Sequence, residues 1–565
     1  MKKFIKIIAC AICAVLLSSS LIGCNNAANQ NRPDYSQNTE QFNIWAYAAT
    51  QNDWYQINGV RYYYEQGMIQ TKETTQMYKD ANFNMLFINY TFSYNVMDGN
   101  FDNTDMKKVM DWAQELGLPC FVFHNTIHGM GARTEPIIDK DKAIAEINDE
   151  FKKENVAREY YFDAYDYCKT NHNDCTSCTD DNLPSDVKDY VNADKAIEDV
   201  YANVKDRSNF YNETDLDKFV EINLKGLKDH PAFRGVTLQD EPKWNQIPQV
   251  GTMYRSIVRV CNADDNPLND DPHVMMNMLP YNPADAHKPY FADGGKNMSS
   301  EEAYGKYLEQ YYEHIGQYCG YFQYDDYPIL NDSIWPTFLQ AHQMTSEFCK
   351  EKGLERRMVM QTCKYSNRRA PNEADMYFQA NVAEAFGNKE FSYYEYYPTA
   401  NTGGTTRPDE SAYIVGHEGA PNQRYYWVKD VNAEIQFNAK ALKNFEYQGM
   451  QYKTIAPMPG GMGYVSGIHN DEFSKLKGFD FTVKLQSGGM LLVTELYDET
   501  NDQYGYFVVN TTDPEYSSEL VVDLDFGDYK NVQIYQNSTI VDAKTKNGKA
   551  TVYLGSGRGA FVMPY

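Results

Sequence analysis

The chain has 565 residues, too many for one ordinary core at roughly 150 residues per domain, so a large domain with a smaller companion is expected. Acidic residues outnumber basic ones, 78 to 52, and the net charge of -26, with no block of Lys and Arg, excludes a nucleic-acid partner, whose phosphates demand a basic surface. Tyr (47), Phe (28) and Trp (6) raise the aromatic share to 14%, which suits packing on the C–H faces of sugars and an aromatic core equally well.

Residues 1–24, MKKFIKIIACAICAVLLSSSLIGC, place Lys2, Lys3 and Lys6 before an apolar run too short for a lasting membrane span, the pattern of a secretory signal. Its end, Leu21-Ile22-Gly23-Cys24, resembles the lipobox of bacterial lipoproteins. That resemblance implies lipidation of Cys24 and a body anchored to the cell membrane, facing the extracellular side. Residues 25–40 have too few apolar side chains to bury and read as a flexible tether.

Eight short apolar or alternating runs follow between residues 41 and 451: NIWAYAA from Asn43, NMLFINY from Asn84, PCFVFHN from Pro119, FRGVTLQDEP from Phe233, HVMMNMLPY from His273, GYFQYDDYPI from Gly320, RRMVMQTCKY from Arg356 and FSYYEYYP from Phe391. Helical spacing separates them, as in DMKKVMDWAQELGLP, where apolar residues return every three or four positions and a glycine closes the helix. Strand then helix, repeated, predicts an α/β fold, a (β/α)8 TIM barrel. An insertion over about 135–213 interrupts the rhythm after the third strand, where it can wall a cleft. From 452 to 565 alternating runs and turns without helices predict an antiparallel β-sandwich domain.

Eight of the eleven cysteines lie beyond Cys24, and only Cys168, Cys175 and Cys178 cluster. With His172 they admit a structural zinc site, while a loop disulfide is the simpler reading outside the cytoplasm. The segment GHEG at 416–419 lacks the spacing of a metal-binding HExxH helix, so a role in a substrate loop or in structure alone is expected. No cofactor or metal is called for elsewhere.

In such a barrel the active site lies where the strands end. The ends carry Trp45 and Tyr47; Asn89; His124; Asp240 and Glu241; Asn277 and Tyr281; Asp325 and Asp326; Gln361; and Tyr393 and Glu395, with Trp244 just beyond Pro242. Carboxylates meeting an aromatic rim suit glycoside hydrolysis, in which one acid protonates the leaving oxygen and one carboxylate attacks or activates water. Trp45, Tyr47, Asn89, His124, Asn277, Tyr281, Asp325, Gln361, Tyr393 and Trp244 are then candidates for holding substrate. Along the sixth strand, alternation puts Tyr324 and Asp326 on one face and Asp325 on the other, and Asp326, nearer the strand end, is preferred as a catalytic group.

Asp240-Glu241-Pro242 resembles the Asn-Glu-Pro ending the fourth strand in clan-A glycoside hydrolases, and with its signal and its two-part pattern the chain resembles a bacterial lipoprotein glycoside hydrolase with a clan-A-like barrel and a C-terminal β-sandwich. The resemblance implies that Glu241 is the general acid/base acting on an extracellular oligo- or polysaccharide. That family's nucleophilic glutamate on the seventh strand has no counterpart, Gln361 standing about there. The second carboxylate is then Asp326, Glu395 or Asp240, the strand-4 and strand-6 placement being similar to α-galactosidase-like barrels. Gln361 also favours the rival expectation, a surface lipoprotein that binds carbohydrate on a TIM-barrel scaffold without hydrolysing it.

Overall fold

The computed structural model describes residues 33–50, 54–57, 60–63, 70–88, 104–124, 127, 216–217, 220–221, 224, 226–262, 273–281, 287–291, 294–364, 367–398, 413–416, 419–455, 466–473, 476, 478–486, 488–516 and 518–565. Cys24, Asn89, the cysteine cluster with His172 and the 135–213 insertion lie outside the described residues. No helix among the described residues is long and apolar enough to cross a membrane.

Strand β1 (Asn43–Ala46) is followed by an antiparallel hairpin, β2 (Trp54–Ile57) with β3 (Val60–Tyr63), and by helix α1 (Lys72–Asp80). Helix α1 starts on a capping box between Thr71 and Thr74. Then come β4 (Leu86–Ile88), α2 (Thr104–Glu115), β5 (Cys120–Phe123), β6 (Phe233–Asp240), α3 (Ile247–Cys261), β7 (His273–Asn277), α4 (Ser300–Tyr311), β8 (Tyr321–Asp325), α5 (Phe338–Lys352), β9 (Glu355–Gln361), α6 (Glu373–Ala385), β10 (Asn388–Tyr394) and α7 (Gln423–Leu442). In α2 the expected spacing holds: Met106, Val109, Met110 and Ala113 are buried while Lys107, Lys108, Asp111 and Gln114 face outward.

All eight strand runs read from the sequence form parallel strands, in two four-stranded sheets ordered β4-β5-β6-β7 and β1-β10-β9-β8. At one meeting of the sheets Met278 N–H donates to the Gln323 carbonyl at 2.9 Å, and at the other Asn84 N–H donates to the Ile44 carbonyl at 3.1 Å. Trp45, Phe87, Phe121 and His273 pack together between the sheets, with Trp45 edge-on to Phe121 at 4.9 Å. Beneath them Glu390 takes hydrogen bonds from the Trp45 indole at 2.7 Å and from Asn43 at 3.0 Å, and lies 3.4 Å from Arg357.

The antiparallel part begins at β11 (Glu446–Ile455), ahead of the change of texture at 452. It continues through β12 (Asp480–Gln486), β13 (Gly489–Asp498), β14 (Gln503–Asn510), β15 (Leu520–Asp525), β16 (Asn531–Gln536), β17 (Thr539–Lys544), β18 (Lys549–Leu554) and β19 (Gly559–Pro564). A six-stranded sheet, β11-β13-β14-β19-β16-β17, faces a three-stranded one, β12-β15-β18, across a shared core that includes Leu491, Val493, Val508, Val522 and Val552. Alternation sends Met490, Leu492, Phe507 and Phe561 to the opposite face, where they join the core of the α/β part. Helix α6 lies between that face and the parallel strands, buried from Asp375 to Ala385.

Gly235 in β6 marks a close approach of two backbones, for a Cβ placed there would lie 1.9 Å from the His273 carbonyl oxygen of β7. Gly235→Ala is therefore expected to push β6 and β7 apart and to cost about 1–3 kcal/mol, read as a lowered urea midpoint. An unchanged midpoint would show that the strands do not approach this closely.

Candidate active site

The end of β6 is shaped by two departures from regular strand geometry. Thr237 pairs with Met275 and Gln239 with Met276, so Leu238 is an extra residue that bends the strand and resets which side chains face inward. Asp240 then comes opposite Asn277, whose side-chain amide donates to Asp240 Oδ1 at 3.0 Å. The next residue, Glu241, has φ of 45° in the left-handed region, which disfavours any residue with a Cβ by roughly 1–3 kcal/mol. It is held there from both sides: its N–H donates to the Asn277 carbonyl at 2.7 Å, and the Tyr307 hydroxyl donates to the Pro242 carbonyl at 2.8 Å.

Along β8 and one residue beyond it, Gln323 and Asp325 alternate with Tyr324 and Asp326. Tyr324 turns toward the helices, against Arg356 and His342. Asp326, the residue preferred from sequence, shares that side, its charge partners being Arg368 and Arg356. Asp325 is the one that faces the β6 carboxylates. Its backbone is two strand spacings from that of Asp240, ~9.6 Å, with β7 between them, and the Glu241 and Asp240 charges act on its carboxyl.

The electrostatics follow from this placement. Burial, then the charges of Glu241 and Asp240, hold the Asp325 carboxyl well above the usual carboxylate range, against a hydrogen bond from Tyr327. Crowding by protein and the Glu241 charge push Asp240 up to about 6, with the Asn277 hydrogen bond pulling the other way. Asp240 still opens to water, so its desolvation is partial. Burial pushes Asp326 up to about 7 against the pull of Arg368 and Arg356.

Aromatic residues surround the acids. Tyr327 and Tyr394 lie 5.4 Å apart and Tyr47 stands 6.1 Å from Tyr394, ring centre to ring centre. Burial raises the phenols of Tyr47 and Tyr327, and the Asp240 and Asp325 charges raise both further.

Other expected site residues go elsewhere. Trp45 is buried low between the sheets, spending its indole on Glu390. Tyr281 donates to Glu301 at 3.0 Å, and Tyr393 turns to the helices, donating to Asn432 at 2.6 Å. Gln361 accepts from Ile329 N–H at 3.1 Å and donates to the carbonyls of Cys363 and Arg369 at 3.2 and 2.9 Å, stapling two loops instead of facing the acids. His124 is buried at the end of β5, and Trp244 packs on Phe291 at 5.1 Å. Glu395 is buried beside Cys363, whose thiol is raised first by burial and then by the Glu395 charge. His417 and Glu418 of the GHEG segment lie outside the described residues.

Tyr327, Tyr394 and Tyr307 were not picked out from the sequence. Strand parity was the available signal for two of them: Gln323, Asp325 and Tyr327 are successive alternate residues, as are Glu390, Ser392 and Tyr394. Tyr307 sits on α4 and meets the β6 turn only through the fold. Among the described residues the group of three ligand-type side chains close enough to share one ion lies away from these acids, at Glu347, His469 and Asp471.

No family model and no curated protein matches the chain. Among solved structures it is similar to a family 39 glycoside hydrolase from the gut symbiont Bacteroides cellulosilyticus WH2, at 10% identity over 87% of this chain and 78% of that one, TM-score 0.40. A noncanonic maltogenic α-amylase from Thermotoga neapolitana aligns at 10% identity over 87% of this chain and 93% of that one, TM-score 0.39. An Anoxybacillus α-amylase aligns at 10% identity over 94% and 99%, TM-score 0.36. Likeness at this level assigns no role to any residue of this chain.

Proposed function

We propose that this chain is a glycoside hydrolase acting on an extracellular oligo- or polysaccharide, from a closed (β/α)8 barrel backed by a β-sandwich. The observation that carries the reading is the convergence of Asp240, Glu241 and Asp325 beside Tyr47, Tyr327 and Tyr394, with the Asp325 carboxyl raised by burial and then by the other two acids. The hydrogen bonds of Met278 and Asn84 across the two sheet meetings support closure. Cys24 as lipid anchor and the extracellular location rest on the N-terminal sequence pattern.

Glycosidic cleavage needs a proton for the leaving oxygen and an anion on the other side of the sugar. Asp325 supplies the proton, because burial beside two anions makes its ionised form costly. Asp240, held by Asn277 and ionised above about pH 6, supplies the anion as nucleophile or as base toward water. This moves the proton donor from Glu241, the sequence expectation, to Asp325. Glu241 contributes charge that keeps the Asp325 proton in place. The tyrosines offer faces to the sugar ring and hydroxyls to its substituents.

Turnover of a glycan panel by Asp325→Asn is expected to fall roughly a hundred- to ten-thousand-fold. The wild-type rate should rise with pH through about 6, as Asp240 loses its proton, and fall again as Asp325 loses its own. Full activity in Asp325→Asn would remove it as the donor, and binding of glycans by the wild type without turnover would establish the non-hydrolytic reading.

Asp240 also has a signature in stability. A carboxyl raised from 3.8 to about 6 holds its proton more tightly in the folded chain, so its ionisation costs stability; the cost is absent below the unfolded pKa and complete above the folded one. Asp240→Asn should therefore gain stability over the wild type as pH rises through that window. Urea midpoints of both proteins on either side of the window check this, and a difference that does not change with pH would assign the raised carboxyl elsewhere.

A further inference from the structure

We propose that Glu347, His469 and Asp471 form a binding site for a divalent transition-metal ion of the zinc class, at the seam between α5 and the 466–473 segment that follows β11 in the chain. His469 Nε2 lies 3.1 Å from Glu347 Oε1 and 3.2 Å from Asp471 Oδ1, and the three ligand atoms all fall within 4.8 Å of one another. Tetrahedral zinc with nitrogen and oxygen ligands sets neighbouring ligand atoms about 3.3 Å apart, so the histidine already stands at metal-ligand spacing from both carboxylates.

The ligands are held from behind, as metal ligands are. Gln343 of α5, itself buried, donates to the His469 carbonyl at 2.9 Å and accepts from the His469 N–H at 3.1 Å. Asp471 commits its other oxygen, Oδ2, to the Met450 N–H at 2.8 Å, and its own N–H donates to the Met450 carbonyl at 2.8 Å. Gly449 lets β11 come this close, since a Cβ there would lie 3.0 Å from that of Asp471. A cavity of about 450 Å³, lined by Glu347, His469 and Asp471 with Lys350, Glu351 and Gln448, leaves room for water to complete the coordination.

A second observation points to a ligand here. Tyr447 on β11 is 4% exposed, and its hydroxyl has no hydrogen-bond partner among the described residues. Burial raises that phenol most, and the charges of Asp471 and Glu347 raise it further. A buried hydroxyl without a partner costs about 1–3 kcal/mol, and a metal-bound water is a partner of the right chemistry. An ion here would pin α5 to the 466–473 segment and so join the α/β part to the antiparallel sheets.

The test is titration of the EDTA-stripped full chain with Zn2+ by calorimetry, with Ca2+ as the oxygen-preferring control. Cys168→Ser, Cys175→Ser and Cys178→Ser together keep any zinc held there out of the count. In that background one Zn2+ should bind and raise the melting temperature, and His469→Ala should lose both effects. Glu347→Gln, changed at a partly exposed helix position, should keep the fold and weaken binding roughly tenfold or more. Equal zinc binding with and without His469, or none at millimolar zinc, would make the cluster an internal ion pair. Preference for Ca2+ would remove the nitrogen ligand from the site.

Discussion

Both parallel sheets are organised around the buried ion pair of Arg357 and Glu390. Neither charge is well placed in an apolar interior, and a buried pair compensates its desolvation only when the remaining hydrogen-bonding capacity is used. Here it is. Glu390 collects Trp45 and Asn43 from β1, Arg357 bonds Glu355 at 2.9 Å, and the guanidinium lies 3.8 Å from the Tyr321 ring centre on β8. Arg357 and these hydrogen bonds outweigh burial, so Glu390 stays below its usual range, while burial takes neighbouring His273 down to about 4 and leaves it neutral. The pair thus gathers β1, β8, β9 and β10, and neutral His273 of β7, on the other sheet, packs 3.7 Å from Glu390.

The strand ends invert this balance. At the floor an acid and a base neutralise each other; at the mouth, after burial, what acts most on Asp325 is like charge. Ionising Asp240 and Glu241 side by side is unfavourable for folding, as is the left-handed backbone of Glu241. Such a cluster persists because the strands beneath it are fixed independently. The bulge at Leu238 and the close approach at Gly235 fix β6 against β7, and the acids inherit that geometry.

The strands were legible because each is a compact apolar or alternating run bounded by helical spacing, and all eight were found. Side-chain parity was harder. Asp325 and Asp326 are adjacent, as are Tyr393 and Tyr394, and nearness to the strand end favoured the wrong inference about which carboxyl faces the others. Counting inward from a buried pair such as Arg357 and Glu390 would have given the parity of β9 and β10, but that pair is recognisable only once the strands are in register. Helix α6 shows no amphipathic stripe because it is covered on every side, so its sequence could not announce it. Tyr307 needs the fold itself, being distant in sequence from the turn it supports.

Gln361 gains a physical explanation from its surroundings. Its amide nitrogen donates to the carbonyls of Cys363 and Arg369, while its oxygen accepts from Ile329 N–H. A glutamate carboxylate has no donor and would turn its lone pairs toward those carbonyl oxygens, so the position requires an amide. The network continues outward. Arg369 donates to the Leu330 carbonyl at 2.7 Å and bridges the buried carboxylates of Asp375 on α6 and Asp513 in the antiparallel part, while Arg368 donates to the Tyr327 carbonyl at 2.6 Å. The loop that carries Tyr327 away from Asp325 is therefore held by β9, α6 and the antiparallel sheets together. Removing the β part would strip Arg369 of Asp513 and uncover α6, loosening the tyrosine that hydrogen-bonds Asp325. The second half of the chain is in this sense part of the support of the site, although none of the three converging carboxylates comes from it.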